Sequence, residues 1–327
     1  MRRLPLALCL LSLAAPAAAQ ELEPEEPMPR EFVGSSPRHL HGALLGAWVE
    51  LGFSGAGRGD ERADFVFSPE VGARLRPDRG IVIDARWGLV IASTSIDGSV
   101  DISGDTIDYS GTPTRIDPGN PRFSLGYAGA VAPNVYLEAG IGAAVPTAGR
   151  AQIGTDAASL LDRSASERSH RAAMAMRGYW SPWAWAPERF SLFAPVRLAV
   201  RADRLLFDAD LGLGVMVPVL GDRNVDPDVI LQLGAGVGGE VAEVLHLGIR
   251  LRGVGAPAGV TLPGIDPATG DPDSEAVVFS VEPWVRLRFD PIQVGLRGVI
   301  SLNGADGVAG DRAPPFGVFV SVGGEAS

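Results

Sequence analysis

The side chains able to do chemistry in this sequence are charged, and they recur two residues apart. Acids at Glu50, Glu70, Asp84, Glu138, Asp208, Asp210, Glu240 and Glu282 occupy alternate positions of short apolar segments. Arg74, Arg76, Arg86, Arg197, Arg201, Arg250, Arg252, Arg286, Arg288 and Arg297 do the same. So many ions would be prohibitive against lipid or in a dry interior, so they require water or one another. Two arrangements satisfy that: charged rings around an aqueous passage that select solutes, and Arg–carboxylate pairs that stiffen an enclosed space and partly close it. Arg74, Arg76, Arg201, Arg286 and Arg288 fall toward one end of their segments, where they would present a positive field to anions.

Other chemistry is sparse. The four His are 39, 41, 170 and 246, and His39 with His41 is a two-ligand pair at the entry to the first apolar segment. A Ser/His hydrolase would centre on His170 or His246, yet no Gly-x-Ser-x-Gly elbow and no Ser/His/acid constellation stands out. No catalytic residue, metal ligand or cofactor is therefore assigned. Spaced aspartates at 97, 101, 105 and 108, and at 266, 271 and 273, could hold Ca²⁺ but do not match an EF-hand loop; solvated acidic loops are the plainer expectation. Trp180, Trp183 and Trp185 suit an interfacial anchor, with a stacking platform for sugars as the alternative.

The elements that carry the charges alternate with the period of a strand. Leu45, Ala47, Val49, Leu51 and Phe53 share one face, with Gly46, Trp48, Glu50 and Gly52 on the other. Ile81, Ile83, Ala85, Trp87, Leu89 and Ile91 oppose Asp84, Arg86 and Gly88 in the same way. Twelve such segments run from about residue 44 to 323, each roughly the ten residues of a tilted membrane-spanning strand. Gaps between them alternate in length. Short ones fall at 77–80, 132–134, 202–204, 242–244 and 290–291, and long ones at 54–64, 93–121, 146–189, 220–228, 257–276 and 303–315. All tight turns then lie at one rim and all long loops at the other, which a Greek-key sandwich has no reason to do. On the apolar face Phe53, Phe65, Phe67, Phe123, Phe190, Phe279 and Phe316 stand at the long-loop end, and Phe207 and Phe289 at the opposite rim. Two aromatic bands are the girdles of a bilayer-spanning barrel. The sequence thus predicts an all-β fold, a transmembrane antiparallel up-and-down β-barrel of about 12 strands.

The remaining features fit that frame. Residues 1–19 read as a signal peptide, with Arg2 and Arg3, an apolar stretch from Leu4 to Leu13 and a small-residue site at Ala17–Ala19. Residues 20–39 form a Glu/Pro-rich leader expected to stay disordered, and 40–327 the barrel. All 28 basic residues are Arg and 39 are acidic, a net charge of −11 that argues against a nucleic-acid partner. One Cys excludes a disulfide framework. Mean hydropathy is +0.15 although no apolar run beyond the N-terminus is long enough for a membrane helix. Glycines crowd the polar face, at 46, 52, 72, 88, 126, 140, 142, 212, 214, 234, 236, 238, 248 and 295. They would leave free volume inside the barrel, permit strong strand curvature, or both. The loop between strands 5 and 6 carries the one helix signal, capped by Thr155 and running from Asp156 to about Arg177. At about 33 Å it would match the barrel height. Its Arg163, Arg168, Arg171 and Arg177 face acidic loops at 93–121 and 257–276, so it is expected to fold over or into the lumen as a constriction or plug; a solvated excursion is the alternative.

By its signal peptide, alternating segments, loop asymmetry and girdles, the chain resembles the bacterial outer-membrane β-barrel superfamily over roughly residues 40–323. The resemblance is architectural and porin- or transporter-like. It implies residence in the outer membrane of a Gram-negative bacterium, among its lipids and lipopolysaccharide. It carries no catalytic residues and no named substrate. The inward glycines and charges leave two functions open. One is a channel for passive or weakly selective passage of small hydrophilic solutes, with or without constriction by helix 155–177; the other is a closed, non-conducting barrel that displays loops for binding or envelope stability. Such proteins usually end on an aromatic residue, whereas here Phe319 lies short of the final Gly323-Gly324-Glu325-Ala326-Ser327.

Overall fold

A computed structural model describes residues 45–58, 62–76, 80–93, 95–102, 105–149, 156–219, 227–255, 277–289, 291–302 and 316–326. The signal peptide, the leader, His39, His41 and the acids at 266–275 lie outside the described residues. The strands are β1 (Leu45–Arg58), β2 (Arg62–Leu75), β3 (Ile81–Ser93), β4 (Ile96–Ile102), β5 (Asp105–Gly111), β6 (Thr114–Pro118), β7 (Arg122–Ala132), β8 (Val135–Ala144), β9 (Arg189–Ala202), β10 (Leu205–Pro218), β11 (Asp228–Ala242), β12 (Leu245–Gly255), β13 (Val277–Phe289), β14 (Ile292–Ser301) and β15 (Phe316–Ala326). One helix, α1 (Ala157–Ala175), lies between β8 and β9, the fifth and sixth strands of the barrel wall.

Twelve strands, β1–β3 and β7–β15, form one antiparallel wall in chain order, and β1 closes it on β15 from Leu45↔Ala326 to Phe53↔Val318. Closure leaves no strand edge in the wall, as a barrel in lipid requires. The tight turns use left-handed residues: Asn134 and Asp203 stand at φ 62° and 55°, and Gly80 at φ 84°. Period two puts Leu45, Val49, Val71, Ile83, Leu125, Ile141, Leu213, Leu251 and Leu296 on the outside, all exposed. So broad an apolar surface is not that of a soluble monomer. All nine Phe of the expected girdles lie on this outer face; Phe67 and Phe190 are half-covered, and Phe67 packs on Phe53 with ring centroids 5.0 Å apart.

Two of the gaps expected to be loops contain strand. β1 and β2 continue past residues 54–64 and pair as far as Arg58↔Arg62, so that hairpin carries the ladder beyond the expected rim. The gap at 93–121 holds the hairpin β4–β5 and then β6, which pairs with the upper end of β3 from Leu89↔Pro118 to Ser93↔Thr114. β7 takes over lower on β3, from Arg86↔Arg122 to Ile81↔Tyr127. One wall position is therefore filled by two half-strands, with Gly119–Pro121 as the joint.

Prolines mark three further interruptions, since a proline cannot donate to the ladder. Pairing lapses at Pro69 between β2 and β3, at Pro195 between β8 and β9, and at Pro283 between β13 and β14. At the first, the Ser68 hydroxyl donates to the Leu89 carbonyl at 3.0 Å, serving the acceptor opposite Pro69.

Candidate functional site

The lumen is occupied. α1 begins at Asp156, whose carboxylate accepts the Ser159 amide and is held below its ordinary pKa by that bond. The cap is thus Asp156 where the sequence suggested Thr155, and the helix stops at Ala175, two residues short of Arg177. Its first turns are partly exposed, while Ala165, Ser166, Ser169, His170 and Ala172–Ala175 are buried. The chain continues through buried Met176, Arg177 and Tyr179 into a 3₁₀ turn at Pro182–Ala184 and on to Ala186. Residues 165–186 thus form a plug. Upper-barrel side chains Val66, Val90, Met216, Ile230, Val254, Val278 and Val299 close around it in one buried apolar cluster.

The wall glycines make room for this packing, so the free volume expected from them is largely taken. A Cβ at Gly88 or Gly119 would come within 2.8 Å of the Trp185 ring, and one at Gly214 within 2.7 Å of Trp183. Trp183 stacks on Phe193 at 4.8 Å, nearly parallel. Trp183 and Trp185 are 4% and 1% exposed, which corrects the interfacial-anchor assignment: they belong to the plug. The wall contributes aromatics of its own. Trp48 pairs across strands with Gly72, Phe319 with Gly52, Phe193 with Gly142 and Trp284 with Gly248. Each ring lies over a glycine that offers no side chain, an arrangement that rescues glycine in sheets. Period two already placed these aromatics inward; the missing signal was register, which decides that each meets a glycine.

The predicted charged residues also face inward. Glu50, Glu70, Arg74, Asp84, Arg197, Asp208, Arg250, Arg252, Glu282 and Arg286 are buried, and Arg76, Arg86, Glu138, Arg201, Asp210, Glu240, Arg288 and Arg297 half-buried. Most join a belt of alternating sign. Arg297 holds Glu50 at 2.8 Å and Glu282 at 2.7 Å, and Arg252 holds Glu282 at 2.6 Å. Arg250 meets Asp208 at 2.7 Å and Asp210 at 3.4 Å, and Arg197 approaches both at 3.7 Å. Arg74 bridges Glu138 at 2.6 Å and Asp84 at 3.5 Å, while Arg86 takes the other Asp84 oxygen at 2.6 Å. Arg122, which was not singled out, pairs with Glu70. Toward the short-turn rim, Arg76 donates to the Ala128 carbonyl and Arg201 to that of Asp203. The expected positive field is reduced there, because Arg74 is committed to two acids.

The plug is fastened at several places, among them Arg168, which donates to the Ser95 carbonyl at 2.6 Å. Asp117, from the acidic gap before β7, accepts the Ser169 and Ser166 hydroxyls and is paired with Arg115; Arg115 also grips Asp162 on the helix. Among the described residues, the expected pairing of the plug's arginines with facing acids is not what holds it. Asp117 takes serine hydroxyls, Arg163 pairs with Glu167 inside the helix, Arg168 binds the Ser95 carbonyl, and the ion pair to the helix has the opposite polarity. Asn120, at the joint between β6 and β7, donates to the carbonyls of Trp183 and Ala186 and accepts the amides of Thr147 and Ala148. Arg177 reaches the wall defect at Pro69: it donates to Ser68 Oγ at 3.0 Å and stacks between Trp185 and Phe319, 4.9 and 5.2 Å from their rings. His170 is spent structurally, its ring nitrogens 2.9 and 3.2 Å from the carbonyl oxygens of Ser166 and Pro118. Among the described residues no group of three or more His, Cys, Asp or Glu is placed to hold a metal.

Below the plug, a cavity of about 130 Å³ is lined by Trp180, Trp183 and Trp185 on one side and the ion-pair belt on the other. Arg252 stacks on Trp180 at 4.6 Å.

No protein-family model matches the sequence, and no curated protein matches it. Among solved structures, the chain is similar to the NanC porin, at 7% identity and a TM-score of 0.50, over 85% of this chain and 99% of that one. It is similar also to an outer-membrane channel from Pseudomonas putida F1, at 10% identity and a TM-score of 0.52, over 92% and 99%. The fold is that of the outer-membrane β-barrel proteins.

Proposed function

We propose that this chain is an outer-membrane channel for small hydrophilic solutes, held shut in this conformation by residues 165–186. Its exposed apolar belt and two aromatic bands suit contact with outer-membrane lipids and lipopolysaccharide in a Gram-negative cell. The observation that carries the proposal is the polar interior beneath the plug, a cavity edged by both signs of charge. Buried ion pairs are poor devices for stability alone, since apolar side chains of equal volume do as well or better. They suit a passage that must meet water once uncovered. The barrier is a loop excursion between neighbouring strands, removable without disturbing the wall.

Liposome swelling tests this. A variant with 165–186 replaced by a Gly/Ser linker is compared with the full chain in graded sugars, after heat-modifiable gel migration shows that both barrels are folded. The full chain should admit solutes slowly and the variant rapidly up to a size limit. A folded variant that admits nothing refutes the channel. The result would then favour a permanently closed barrel displaying loops, a second function supported by the complete burial of Ala172, Ala173 and Ala186.

A further inference from the structure

Five buried donors at the mid-barrel cavity have no hydrogen-bond partner; Arg197 Nε still lies 3.7 Å from Asp210, which leaves Arg122 Nε, Arg252 Nε, the Gln232 amide nitrogen and the Trp185 indole nitrogen. The side chains are 6%, 7%, 2% and 1% exposed, so bulk water does not serve them. A buried donor left unmet is costly, and more so on a charged group. The acceptors of the cavity are largely committed. Glu282 uses one oxygen for both Arg252 and Arg297 and leaves Oε1 unbonded, while Asp210 Oδ2 and Asp84 Oδ2 lie within ion-pair distance of Arg250 and Arg74. Donors are therefore in excess. So is positive charge: seven Arg and six acids line the space, and adding the neighbouring Arg74 and Asp208 leaves the difference at one.

Shape narrows the occupant further. Trp180 and Trp185 offer flat faces, already stacked by Arg252 and Arg177. The volume of about 130 Å³ is close to that of an apolar cavity of roughly 150 Å³ that holds one benzene. We propose that this cavity is a binding site for one small planar monoanion, a carboxylate no larger than benzoate, whose oxygens receive the Arg122, Arg252, Gln232 and Trp185 donors. The anion cancels the single surplus charge, and its plane lies along the indoles. The site belongs to the plugged state, because Trp185 comes from the plug and the other three donors from β7, β11 and β12. It stands whether or not the barrel conducts, so binding is measured apart from permeation.

Isothermal titration of the full chain in detergent micelles, with tryptophan emission read in parallel, tests the assignment. Benzoate should bind saturably with one site and quench emission, whereas benzamide, of the same shape without the charge, and benzylammonium should bind at least tenfold more weakly. Gln232→Leu, which removes one donor and no charge, should weaken benzoate about tenfold while the gel migration of the folded barrel is unchanged. Absence of saturable benzoate binding to the full chain overturns the proposal, as does equal binding of benzamide. Solute uptake by the plug-deleted variant without benzoate binding by the full chain would leave the channel standing and this site refuted.

Discussion

The contact of Trp185 with Gly88 sets how firmly the plug is seated, and a cycle of two substitutions measures it. A Cβ at residue 88 would stand 2.8 Å from the Trp185 ring and 3.1 Å from the Pro69 carbonyl oxygen, with no flexible side chain able to yield. Gly88→Val overfills a packed site and should cost the seated state about 1–3 kcal/mol. That raises the released population about 5- to 150-fold. Trp185→Ala removes a ring that is 1% exposed and should cost about 3–5 kcal/mol. In the double variant the ring is gone and only the Pro69 carbonyl oxygen at 3.1 Å still crowds the valine, so its own cost should fall by at least about 0.5 kcal/mol, a coupling within the range measured for touching residues. Tryptic cleavage after Arg177, identified by mass, is the assay: that side chain is 5% exposed when the plug is seated. Cleavage of a briefly opened segment follows its equilibrium population when reclosing is fast. Cleavage of Gly88→Val at the parent rate, or strictly additive effects in the double variant, would refute this account of why residue 88 is glycine.

Two further outcomes follow from the charges. Arg297→Met leaves Glu50 without its guanidinium and should cost about 3–5 kcal/mol, seen as a lower urea midpoint, and Glu50→Met added to it should recover most of the loss. Asp117→Asn keeps the shape of the side chain but removes the charged acceptor of Ser169 and Arg115. It should weaken helix docking by about 1.5–3 kcal/mol and speed cleavage after Arg163 and Arg168, with the heat-modifiable migration of the barrel unchanged.

The wall was legible in the sequence because a single period carries it. Every second residue from Leu45 to Phe53 faces outward and those between them face the lumen, and no other information is needed to say so. The plug was legible only as a helix with basic residues in a long gap. Its depth depends on Trp183 and Trp185 finding slots at Gly214, Gly88 and Gly119, positions far away in sequence whose meeting is fixed by strand register. Helical periodicity also ended the element in the wrong place, since Met176 and Arg177 turn inward on contacts with Ser68 and Phe319 that no local pattern encodes. The charged positions were legible as inward; their partners were not, because Glu50 and Arg297 become neighbours only when β1 and β15 close the circle. The half-strands β6 and β7 were hidden for the same kind of reason: a strand of five residues in a polar gap has too little alternation to stand out.

The path of the plug has a mechanical consequence. Both ends of the excursion, at Ala144 and Arg189, leave neighbouring staves at the same mouth. It enters as a doubled-back length of chain whose tip lies deepest, so withdrawal retraces entry and never threads the far opening. A pull from the loop side can empty the bore while every stave stays bonded to its neighbours, and pressure from the other side pushes the tip the same way, back toward the mouth it entered.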